Sequence, residues 1–108
     1  MKSIKDTALL AKQAAIFKAL AQQSRLQMVL HLGQHEHTVG ELTALVGLDA
    51  STVSRHLSLL KSTGIISSRR EGKSVIYRLA MPCVLGFFAC AEDVLHEQGQ
   101  LDDTPPPE

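Results

Sequence analysis

The chain has 108 residues, 44% of them apolar, and its 11 Lys and Arg balance 11 Asp and Glu for a formal net charge of zero. That length bounds one domain with a modest core that dimerisation would help to bury, while three Phe, one Tyr and no Trp exclude the aromatic platforms of single-strand and RNA readers. No run approaches a membrane span and the Lys-interspersed start lacks a signal-peptide core, so a cytoplasmic protein is expected, whose two cysteines form no permanent disulfide.

Leu9, Leu10, Ala14, Phe17 and Leu20 recur at helical spacing and predict a first amphipathic helix over about 5–21. Ser24 is the expected cap of a second helix carrying Leu26, Val29, Leu30 and Leu32 as far as Gly33. Gln34-His35-Glu36-His37 reads as a solvated loop, because two histidines with no further ligand nearby in sequence fall short of a metal site. Thr38 then caps a third helix that turns Val39, Leu42, Leu45 and Val46 inward and stops at Gly47.

Asp49 opens a fourth helix that carries the most information. Val53, Leu57, Leu60 and Gly64 fall at i, i+4, i+7 and i+11, an apolar stripe followed by a helix-stopping glycine. The opposite face holds Ser51, Thr52, Ser54, Arg55, His56 and Ser58. Short hydroxyls and an arginine approach base edges and phosphates without bulk, as a groove-facing helix requires. His56 is read as a phosphate contact in preference to a locally satisfied ring.

Past Gly64 the period drops to two. Segments 65–70 and 74–79 are expected strands joined around Glu71-Gly72-Lys73, a hairpin with Arg69, Arg70 and Lys73 at its tip. Pro82 suits the first turn of a last helix reaching about Gln98. Two short helices joined by a glycine turn, then a hairpin, predict a mainly α winged helix-turn-helix with a two-stranded β-wing. Residues 1–103 would form a DNA-binding and dimerisation domain, with a disordered proline-rich tail over 104–108.

Charge is polarised along the chain. Residues 51–80 hold Arg55, Lys61, Arg69, Arg70, Lys73 and Arg78 against the single acid Glu71, whereas residues 81–108 hold six acids and no Lys or Arg. One basic patch is therefore expected to meet double-stranded DNA, through Ser51, Thr52, Ser54, Arg55, His56, Ser58, Arg69, Arg70 and Lys73. An enzyme is not expected, since no nucleophile–base constellation, phosphate-cradling loop or carboxylate pair falls at a usable spacing. The rival class is a winged helix used only for contact with other proteins.

Three blocks in order resemble the ArsR/SmtB winged-helix repressors: Phe17-Lys18-Ala19-Leu20-Ala21 with Ser24-Arg25-Leu26, Val53 through Leu60, and Gly64-Ile65-Ile66 through Arg69-Arg70-Glu71-Gly72-Lys73 to Tyr77-Arg78-Leu79. The resemblance implies a homodimer joined through its first and last helices, repressing its own operon until an inducer weakens the DNA complex. A two-fold dimer would read half-sites about one helical turn apart. The family's Cys-Val-Cys-Asp-Leu pattern at the third helix is replaced by Thr38-Val39-Gly40-Glu41-Leu42. Its Asp-x-His and His-x-x-Glu pair in the last helix falls on Met81-Pro82-Cys83 and on Val94 to Glu97, where only the glutamate remains.

Cys83 and Cys90 are left as candidate ligands. Seven residues are two turns, so both thiols share one face, yet the rise of roughly 10 Å exceeds the roughly 7 Å that a disulfide spans. Any pairing must cross between chains or require the helix to unwind; it would cross if two last helices packed antiparallel about Gly86 and Phe87. Thiolates select soft ligands, and the resemblance favours a trivalent arsenical as inducer, with no cofactor required. Inorganic arsenite prefers three sulfurs and a methylated arsenical needs two. A redox or persulfide switch at the same cysteines and two merely packed thiols are the competing readings. His96 and Glu97 alone fall short of a hard-metal site, and Met28 and Met81 read as core filler.

Overall fold

The computed structural model describes residues 4–101; the expected tail over 104–108 and the domain end at 103 lie outside them. Among the described residues five helices and three strands follow one another as α1 (Thr7–Leu20), α2 (Gln23–Gln34), β1 (His37–Thr38), α3 (Val39–Val46), α4 (Ala50–Ser62), β2 (Ile66–Glu71), β3 (Ser74–Leu79) and α5 (Cys83–Glu97). Asp6 caps α1 by accepting from Leu9 N. Gln22, not Ser24, caps α2: its backbone is extended and its longer side chain reaches Arg25 N at 2.8 Å, which starts the helix one residue before Ser24. At α3 the expected Thr38 cap is completed into a capping box with Glu41, and Gly47 ends the helix at φ 72°.

The winged helix-turn-helix is present, with one addition. The hairpin is antiparallel with Ile66 opposite Leu79 and Glu71 opposite Ser74, so its loop is only Gly72-Lys73. Gly72 takes φ 61°, the first loop position where a type II′ turn selects glycine. Beyond it, β1 adds to the far side of β3, pairing His37 with Tyr77 and Thr38 with Ile76 for the order β1-β3-β2. The segment expected as a loop thus ends in a strand, because β3 would otherwise leave one edge of backbone unpaired.

Val53, Leu57 and Leu60 of α4 are fully buried, as their spacing predicts, against Met28, Val29 and Leu32 of α2, Leu42 of α3, Ala19 and Leu20 of α1, and Ile65 and Ile66 at the base of the wing. Leu45, expected inward, is exposed, and so is Leu30 of α2; each helix has room for a narrower buried stripe than its apolar content suggests. α5 contributes only Val84 to this core, and Leu85 packs on the open backbone of Gly33, where an added Cβ would stand 3.0 Å from it. The radius of gyration is 15.7 Å and the thinnest dimension 20 Å, flatter than the roughly 13 Å radius of a compact chain of this length. No helix among the described residues is long and apolar enough to cross a membrane.

Candidate nucleic-acid interface and thiol face

Burial of one stripe of α4 turns the other outward. Ser54, Arg55 and Ser58 are exposed. Asp49 organises the entry to the helix: it accepts from Thr52 N at 3.0 Å, from Ser51 Oγ at 2.5 Å and from Thr52 Oγ1 at 2.7 Å. These donors, the Ser51 hydroxyl foremost, hold its carboxyl well below the ordinary carboxylate range. Arg55 Nη2 in turn donates to Thr52 Oγ1 at 3.3 Å. Ser51 and Thr52 are thus engaged in the cap, and Arg55 leans back along the helix while keeping its charge.

The basic hairpin follows α4 directly, but its cations are not equivalent. Arg69 sits between two carboxylates, with Nη2 at 2.8 Å from Glu36 Oε1 and 2.6 Å from Glu71 Oε2. The hydrogen bond to Glu36 is the largest cause of a raised Arg69 pKa, and reciprocally Arg69 lowers that of Glu36. Arg55, Arg70 and Lys73 form no ion pair with an acid among the described residues and are exposed, whereas Arg78, also exposed, acts on Glu36 through its charge. Arg78 lies opposite Ser67, on the same face of the hairpin as Arg69. Of the nine residues expected at DNA, five therefore stand exposed without a competing partner: Ser54, Arg55, Ser58, Arg70 and Lys73.

His56 is half-buried, and Arg25 Nη1 lies 3.3 Å from its Nδ1. Burial, then the charges of Arg25 and Arg55, lowers its pKa. Arg25, which sequence reasoning placed only within a family block, also donates through Nε to Ala19 O at 2.6 Å and so ties the end of α1 to α4. Nothing in the local sequence signals this contact, since the two residues are 31 positions apart.

Cys83 and Cys90 are both exposed and unpaired on the regular helix α5. Phe87 and Val94 share their face and are exposed as well, and Phe87 meets Phe17 of α1 edge to face at 6.0 Å between ring centres. Phe17 and Phe87 remain 56% and 57% exposed. A groove of about 260 Å³ runs between the two helices, lined by Ile16, Phe17, Leu20, Met81, Cys83, Val84 and Phe87 with Gln13 as its polar member. A Cβ added at Gly86 would meet nothing within 4 Å, so the smallest residue of α5 is not required by packing within the protomer. No group of three or more His, Cys, Asp or Glu among the described residues could hold a metal ion. The rings of His31 and His35 stand 6.4 and 6.3 Å from that of His37 as edge contacts, and His96 lies 3.9 Å from Glu92.

Comparison with known proteins gives concordant matches. The family described as bacterial regulatory protein, arsR family, matches residues 22–68. An HTH-type transcriptional regulator of Mycobacterium tuberculosis, Rv0081, is 36% identical over 84 residues, 77% of this chain and 74% of that one. Among solved structures, the homodimeric winged helix-turn-helix DNA-binding domain Mb0332 of Mycobacterium bovis superposes with a TM-score of 0.79 at 34% identity, covering 97% of each chain. The transcriptional repressor BigR of Xylella fastidiosa superposes with a TM-score of 0.71 at 29% identity, covering 86% of this chain and 96% of that one.

Proposed function

The chain belongs to the arsR family of bacterial regulatory proteins, whose members are DNA-binding transcription regulators and not enzymes, and we propose that it is a homodimeric repressor released from its operator by a thiol-reactive inducer. The observation that carries the DNA reading is the division of α4 into a fully buried stripe, Val53, Leu57 and Leu60, and an exposed stripe of Ser54, Arg55 and Ser58, with Arg70 and Lys73 on the wing that follows. Backbone phosphates are met by the cations and base edges by the hydroxyls and Arg55. Ser51, Thr52, His56 and Arg69 belong to the same surface in supporting roles.

The homodimer reading rests on the apolar face shared by α1 and α5, on the flat outline of the protomer and on the homodimeric state named for Mb0332. Two α5 helices packed antiparallel about Gly86 and Phe87 would bring Cys83 of one protomer to Cys90 of the partner subunit, and the vacant space over Gly86 suits a close backbone approach. Two such dithiol sites fit a trivalent arsenical with one organic substituent: each arsenic–hydroxyl bond exchanges for an arsenic–sulfur bond, and two waters leave with the thiol protons. The apolar groove beside Cys83 offers room for that substituent. Binding would then wedge the interface and alter half-site spacing.

The test is a DNA-release assay with arsenite, a methylated arsenical, zinc and a persulfide donor on wild type, Cys83→Ser and Cys90→Ser. Release by the methylated arsenical, lost in both variants, is the expected result. Release by the persulfide donor alone would assign the thiols to sulfur chemistry, and release unchanged in both variants would remove the thiol reading.

A further inference from the structure

We infer that Arg25 is a positioning residue of the recognition helix, acting through His56, which it holds as the neutral tautomer protonated at Nε2. This rests on the DNA reading above. A guanidinium has five N–H donors and no acceptor. Its Nη1 contact at 3.3 Å with His56 Nδ1 therefore requires that nitrogen to accept, which leaves the ring proton on Nε2. Arg25 is itself anchored: Nε donates to Ala19 O at 2.6 Å, and Nη2 lies 3.5 Å from Lys18 O in the same last turn of α1. Those carbonyls at a helix C-terminus favour a cation. One side chain thus braces α4 against both α1 and α2.

Two consequences follow for the duplex. The ring can offer DNA only Nε2–H, a neutral donor of fixed direction. A proton added at Nδ1 would set two donors against each other at the Arg25 contact, so acid removes the brace. The charged groups acting on His56 are Arg25 from α2 and Arg55 from α4, both cations, and no carboxylate ion-pairs with the ring among the described residues. Both disfavour the imidazolium, as does burial. The pH response is then opposite to that of a histidine on phosphate, where protonation adds a charge contact and tightens binding.

The experiment uses the whole chain and a duplex that the wild type selects from a random-sequence pool. Long-range proton–nitrogen NMR on the free protein reports the tautomer of each histidine, and DNA affinity is measured from about pH 8 to about pH 5.5, the range of imidazole titration. Wild type is compared with Arg25→Met, which keeps an apolar stem, and with His56→Gln, whose amide oxygen accepts from Arg25 and whose amide nitrogen still donates but does not titrate. Expected are Nε2–H in wild type, tautomer averaging and roughly tenfold weaker binding in R25M, the scale of one lost hydrogen bond, and an affinity of wild type relative to H56Q that falls as the solution is acidified. An Nδ1–H tautomer, or a relative affinity that rises in acid, overturns the inference while leaving the DNA reading standing. A wild type that selects no duplex overturns both.

Discussion

Replacing Phe87 by Ala is expected to split the dimer while leaving the protomer folded. Phe87 is 57% exposed in the protomer, so of a phenylalanine surface of roughly 200 Å² about 115 Å² waits for a partner. At about 25 cal/mol per Å² this is worth roughly 3 kcal/mol per protomer, and a two-fold interface contains the residue twice. Allowing for the Cβ that alanine retains, the loss is about 4–5 kcal/mol per dimer, or about a thousandfold in the association constant at 1.4 kcal/mol per decade. Within the protomer Phe87 contributes edge contacts to Phe17 and Phe88 at 6.0 and 6.3 Å, a term of about 1 kcal/mol. Sedimentation equilibrium over a concentration series measures the association constant, and circular dichroism checks that the helices persist. An association constant within about threefold of wild type, far below a one-decade change, would refute the assignment of the α1 and α5 face as the interface.

Asp49→Ala should lower both the melting temperature and DNA affinity, because one carboxylate holds the first turn of α4 and two of its hydroxyls. Its depressed pKa means the carboxylate's stabilisation is complete above about pH 4 and is lost as pH falls further, so the melting deficit of the variant at pH 7 should shrink in strong acid. Arg70→Ala or Lys73→Ala should reduce the salt dependence of DNA binding by about one unit of slope each, whereas Arg69→Ala should change it less, since Glu36 and Glu71 already neutralise that guanidinium. Equal slopes for Arg69 and Arg70 variants, measured by salt titration, would argue that DNA displaces both carboxylates.

The recognition helix and the wing were legible because their determinants are local. The stripe Val53, Leu57 and Leu60 is set by helical period, the caps at Thr38 and Asp49 by a hydroxyl or carboxylate three residues from its N–H partner, and the hairpin by a glycine that accepts positive φ. Period alone could not tell which apolar residues the protomer itself covers. Leu10 and Phe17 fall on the apolar positions of α1 by spacing, yet they face outward in the protomer because the fold has no further layer to lay on them, as does Phe87, which was expected between two last helices.

Sequence by itself therefore determined the five helices and the two wing strands, the polarity of α4, the basic wing and the placing of two thiols on one helix face, all matters of separations within a few turns or one hairpin. Tertiary structure alone decided that β1 joins β3, that Arg69 is quenched by Glu36, that Arg25 braces His56 and that Cys83 borders an apolar groove. Each of these brings together residues about thirty or more positions apart, and such contacts form only once burial of the core has offset the entropy of closing the intervening chain.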